Sequence, residues 1–136
     1  MDPALAQRLQ WLYDTSLACA ERVQHTLGAG MPVPTYQACL KLELEAIPLV
    51  VQRDVPVPLV YRGVEITDSI TVPLVVDGRL IISFALEPAM TPALDARMHA
   101  LLRATGLPLG VIANFGVPSI RAGWRRIANP NPRMIE

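Results

Sequence analysis

A chain of 136 residues is long enough for one domain with a real core and short for two. Twelve basic residues balance twelve acidic ones, which argues against a broadly basic nucleic-acid binder while leaving room for a local patch. Charged residues are 18% and apolar residues 51%, so a domain of this size is expected to expose apolar area, a frequent mark of an interface.

Asp2-Pro3 reads as a helix cap followed by proline at the first helical position. Leu5, Leu9, Leu12, Cys19, Val23 and Leu27 then lie near one helical stripe, with Trp11 and Tyr13 off it. Gly28 and Gly30 stop this helix. His25, near its end, suits the helix dipole and has no evident catalytic partner. A second helix opens at Pro34, carries Tyr36, Leu40, Leu44 and Ile47 on its apolar stripe, and ends at Pro48. The N-terminus lacks a signal-peptide pattern, so Cys19 and Cys39 are expected to be free thiols in a reducing cytoplasm. No segment has the apolar length of a membrane span.

Val55, Val57, Leu59 and Tyr61 alternate with Pro56, Pro58 and Val60, the pattern of one half-buried strand, and its prolines place it at an edge. Arg62-Gly63 is a turn. A further strand starts near Val64 and runs, through a break at Asp68-Ser69, into the stretch on which the chain is organised, ITVPLVVDGRLIISFAL from Ile70 to Leu86. This is a hairpin about Asp77-Gly78. Alternation puts Ile70, Val72, Leu74 and Val76 on one face and Thr71, Pro73 and Val75 on the other. Leu80, Ile82 and Phe84 oppose Ile81, Ser83 and Ala85. Both faces are apolar, so the sheet is expected to be covered on both sides.

Thr91-Pro92 begins a third helix with Leu94, Met98, Leu101 and Leu102 on its stripe, closed by Gly106. Leu109 to Ala113 has strand length and follows a helix, which suggests a crossover to a parallel strand. The remainder, through Arg125, Arg126 and the NPNPR stretch, reads as a polar tail. The order helix, helix, three strands, helix, strand makes an α/β fold with a mixed central sheet flanked by helices. Residues 1–128 are expected to form a single domain and 129–136 a C-terminal tail.

LGAGMPVPTY at 27–36, RDVPVPLVYRG at 53–63, VDGRLIISF at 76–84, AMTPALDARMHALLRATGLPLG at 89–110 and NFGVP at 114–118 occur in an order and spacing that resemble the GxxExxY family. That family is a branch of the PD-(D/E)XK nuclease superfamily, and the likeness covers about residues 5–128. The resemblance implies a restriction-endonuclease-like core. In active members one strand offers an aspartate and the next a Glu-x-Lys. The carboxylates hold a divalent cation on the scissile phosphate, and the lysine stabilises the developing charge.

Carried across, the aspartate position is Pro73, the glutamate Ser83 and the lysine Ala85. The helix position that is usually glutamine is Arg97, and the motif glutamate is Val33, although Gly30 and Tyr36 remain. No cofactor or metal is therefore expected. Glu87, two residues beyond Ala85, and Asp68, Asp77 and Glu65, nearby in sequence, are acids from which a relocated site would have to be built. The resemblance implies a catalytically inactive nuclease fold kept as a structural, self-assembling or partner-binding module, as a homo-oligomer or filament. The alternative is a pseudonuclease that binds nucleic acid or a nucleotide through Arg97, Arg103, Arg121, Arg125 and Arg126. A metal-dependent nuclease with relocated ligands is the third possibility.

Overall fold

A computed structural model describes residues 1–67 and 69–133. Three helices, α1 (Pro3–Leu27), α2 (Val33–Glu45) and α3 (Pro92–Thr105), accompany seven strands. These are β1 (Val51–Pro56), β2 (Leu59–Tyr61), β3 (Val64–Ile66), β4 (Thr71–Val76), β5 (Leu80–Ala85), β6 (Leu109–Asn114) and β7 (Trp124–Ala128). Five of them form a mixed sheet in the order β1-β4-β5-β6-β7, in which only β5 and β6 are parallel. The helix boundaries follow the caps. Asp2 accepts from the Ala4 amide, Thr91 accepts from that of Leu94, and Gly106 closes α3 with a left-handed φ of 74°.

The sheet divides two cores. On one face α1 and α2 pack Leu9, Leu12, Tyr36 and Leu40 against Leu74, Ile82, Phe84 and Val111. On the other α3 packs Met98, Leu101 and Leu102 against Val75, Ile81 and Ile112. Every residue of β5 and of β6 is buried, as a strand covered on both sides requires. Tyr36 stacks on Phe115 with ring centroids 4.1 Å apart. Its hydroxyl donates to the Gly28 carbonyl (2.6 Å) and accepts from the Met31 amide (3.3 Å), fixing the link between α1 and α2. Trp11 stays exposed beneath the Arg8 guanidinium, while Tyr13 packs on the core.

Three sequence expectations are corrected. Val55 to Tyr61 is not one strand: the chain leaves the main sheet after Pro56, and β2 pairs only with β3, as a separate hairpin. The segment after Gly123 is not a tail. Trp124–Ala128 is an edge strand whose Trp124 and Ile127 side chains reach opposite cores, a signal hidden by the arginine pair between them. The alternation on β4 also breaks. Leu74 and Val76 face the α1–α2 core, but Val72 belongs to the α3 core, and Ile70 packs there too. Beyond β7 the chain is tied to the end of α3: Asn129 Nδ2 donates to the Leu102 and Leu107 carbonyls, and the Arg133 amide donates to the Gly106 carbonyl.

The β4–β5 turn has positive φ at both Asp77 (58°) and Gly78 (62°), the Arg79 amide donates to the Val76 carbonyl across them, and Val76 pairs with Leu80 beyond the turn. Asp77 is held by Arg8 of α1 (2.8 Å) and by Arg79 (3.0 Å). The hydrogen bond from Arg8 and the positive charge of both guanidiniums hold the Asp77 carboxyl below its ordinary value. A carboxylate lowered on folding stabilises above its unfolded pKa and loses that contribution as pH falls through the folded value. Because Arg8 is well exposed, Arg8→Ala should cost at most about 1 kcal/mol at neutral pH. In urea titrations the difference from the parent protein should shrink below about pH 4, as Asp77 is protonated, to what the stacking of Arg8 on Trp11 contributes.

Candidate functional site

The candidate site lies where β4 and β5 part. Their pairing runs from Val76–Leu80 to Leu74–Ile82 and stops one residue short of Pro73 and Ser83. On the other side of β4, β1 pairs on both flanks of Pro73, at Arg53–Leu74 and Val55–Val72, but not at Asp54. Proline brings no amide hydrogen to a ladder, and Asp54 opposite it takes a left-handed φ of 52°. Across this point both strands change face. Val51 and Leu74 belong to the α1–α2 core, whereas Val55 and Val72 belong to the α3 core.

Gln37 closes the gap from α2. It is buried, and its Nε2 donates to the Pro73 carbonyl (2.8 Å) and to Asp54 Oδ1 (3.0 Å). One amide thus satisfies the carbonyl beside the broken ladder and ties down the residue in the unusual conformation. The signal for it in the sequence is a polar residue on an apolar stripe, between Tyr36 and Leu40. Asn114 is a second buried amide with a structural task. Its Oδ1 accepts from the Glu87 and Gly116 amides and its Nδ2 donates to the Glu87 carbonyl, locking the ends of β5 and β6 together.

Ser83 and Ala85 are both buried and lie on the side of β5 that carries Ile81, facing the α3 layer. Arg97 is on α3 and exposed to solvent. Val33 opens α2 on the other side of the sheet, half-buried against the α1–α2 core. The fold therefore groups Pro73, Ser83 and Ala85 about the strand junction, puts Arg97 on the helix covering that side, and leaves Val33 on the opposite layer.

The five arginines do not gather. Arg103 ends α3, and Arg125 pairs with Asp95 on that same layer at 3.0 Å. On the α1 side Arg121 pairs with Glu21 (3.0 Å), while Arg126 donates to Gln10 and lies over the Tyr13 ring. The acids are dispersed as well. Asp54 is held by Gln37, Asp77 by Arg8 and Arg79, and Asp95 by Arg125. Glu65 and Glu87 are exposed at separate places, and Asp68 lies outside the described residues. Among the described residues no three His, Cys, Asp or Glu side chains come together in a way that could hold a metal ion.

A family model described as the PD-(D/E)XK nuclease superfamily matches residues 10–127, and the chain belongs to that superfamily. The mixed five-stranded sheet flanked by helices agrees with its fold. No curated protein and no solved structure matches the chain significantly. The divalent cation that such nucleases use does not fit the donors here. A proline, a serine and an alanine present one neutral hydroxyl where hard anionic oxygens are needed.

Two substitutions probe the site. Gln37→Ala leaves the Pro73 carbonyl without its donor and should lower stability by about 1–3 kcal/mol in urea titrations. Ser83→Glu places a carboxylate in a covered strand and should cost about 2–4 kcal/mol at pH 8. Burial raises the pKa of such a carboxyl, so the electrostatic part of the loss should shrink as pH falls from 8 and be gone only below about pH 4, where the group is neutral in both states.

Proposed function

We propose that this domain no longer cleaves phosphodiesters and acts as a structural, self-assembling or partner-binding module. The observation that carries the proposal is the occupancy of the strand junction. Pro73, Ser83 and Ala85 supply neither a carboxylate pair nor an ammonium, and Ser83 and Ala85 are closed into the sheet. A lone buried anion left there without a metal would cost several kcal/mol, so their loss removes a burden once catalysis is no longer needed. Gly30 and Tyr36 keep the GxxExxY pattern with Val33 in place of its glutamate. That fits a descendant that retains the motif's packing role, which the Tyr36 bonds to Gly28 and Met31 display.

The arginines support protein contacts over a shared phosphate-binding patch, since Arg121, Arg125 and Arg126 are engaged with neighbours on two sides of the sheet. Among the described residues no helix is long and apolar enough to cross a membrane. Cys19 and Cys39 are free thiols, which fits the cytoplasmic setting we assign.

Plasmid and single-stranded DNA should remain intact when incubated with the purified protein and magnesium or manganese. Cleavage that chelator abolishes, and that Glu87→Ala or Asp95→Ala removes, would overturn the proposal.

A further inference from the structure

Three arginines from distant parts of the chain line one cavity of about 680 Å³, between the start of α1, the β4–β5 turn and the loop after α3. They are Arg8 of α1, Arg79 of the turn and Arg133 beyond β7. Arg8 Nε and Arg79 Nη1 both contact one oxygen of Asp77, Oδ2, at 2.8 and 3.0 Å. One carboxylate thus holds two guanidiniums side by side and neutralises only one of them. Arg133 is placed by the end of α3. Its amide donates to the Gly106 carbonyl (2.8 Å) and its Nη2 to the Ala104 carbonyl (3.1 Å), and a Cβ on Gly106 would collide with its Nε. The other acid at the cavity, Asp2, is spent as the α1 cap beside the positive end of that helix.

This arrangement differs from that of Arg121, Arg125 and Arg126, each engaged with a neighbour of its own on one or other side of the sheet. Here like charges share one space and repel. Excess positive charge in a cavity with low-dielectric walls favours the entry of an anion. In side-chain hydrogen bonds among the described residues Arg8 uses only Nε, Arg79 only Nη1 and Arg133 only Nη2, so donors on all three remain open. Donors from three separate segments suit a tetrahedral oxyanion better than a flat carboxylate, which one guanidinium can satisfy alone. The cavity is much larger than a bare phosphate ion, and Leu5, Leu107 and Pro108 give it an apolar wall. An anion carried on an organic body fills such a space better than the free ion does.

We propose that this cavity binds the phosphate monoester group of a small organic molecule, with Arg8, Arg79 and Arg133 on its oxygens and the organic part against Leu5, Leu107 and Pro108. The site is separate from the strand junction, and binding there requires neither nuclease chemistry nor a protein partner.

Calorimetric titration of the full chain with phenyl phosphate, inorganic phosphate and benzoate tests this. Phenyl phosphate should bind with a dissociation constant below about 1 mM, at least about tenfold tighter than inorganic phosphate or benzoate. Arg79→Gln and Arg133→Gln should each weaken phenyl phosphate at least about tenfold. Both side chains are open to solvent, so the circular dichroism spectrum should not change. Arg62→Gln, on the β2–β3 turn, should leave the affinity as it is. Affinity should also fall as pH is lowered through about 6, where a phosphate monoester loses its second charge while the guanidiniums keep theirs. No saturable binding of phenyl phosphate up to about 10 mM would overturn the proposal. So would binding that both cavity variants leave intact, or that Arg62→Gln weakens equally, since general charge attraction would then account for it. Benzoate as tight as phenyl phosphate would overturn the phosphate assignment, and inorganic phosphate as tight would overturn the organic part. Each of these results leaves the absence of nuclease activity to be judged by the cleavage assay alone.

Discussion

Pro73 brings no amide hydrogen to the middle of a sheet, and the strands on both sides settle around that deficit. β5 ceases to pair just before it, β1 twists through a left-handed aspartate opposite it, and both β1 and β4 turn their side chains over to the other core. A buried glutamine then supplies the missing donor for the proline carbonyl. The junction is stable because a side chain has taken over the work of the ladder. The junction holds a neutral amide, a serine and an alanine.

The rest of the molecule protects the sheet that contains this junction. α1 and α2 cover one side and α3 the other, so the strands at the centre are apolar on both faces. The aromatic group formed by Tyr36, Phe84 and Phe115 and the hydrogen bonds of Asn114 join the helical layer, the sheet and the loop after β6. These features serve position and packing. None presents a reactive group to solvent.

The low charge content has its counterpart in one place above all. The excursion from β1 to β4 projects as an apolar arm with a groove beside its base. The neutral side chains at the strand junction and the apolar area on the arm both fit the proposed reading of a domain whose surfaces matter more than its cleft. Exposed apolar area is costly to keep on a monomer, because it favours indiscriminate association.

Local signals alone made much of the chain legible. Asp2-Pro3, Thr91-Pro92 and Gly106 marked helix ends because caps act within a few residues. Asp77-Gly78 marked the central turn because only a few residues adopt its dihedrals. That Pro73 and Ala85 carry no side-chain atom able to bind a metal was equally legible, since it follows from residue type alone. Tertiary structure alone decided what long-range pairing governs. It made β7 a strand despite its two adjacent arginines, and separated Val72 from Leu74. It also set Gln37 against Pro73 across 36 residues of chain and left β2 and β3 without a covering layer. Such features depend on which backbone groups find partners from distant segments, and a periodicity of two or of 3.6 residues along one segment carries no record of that choice.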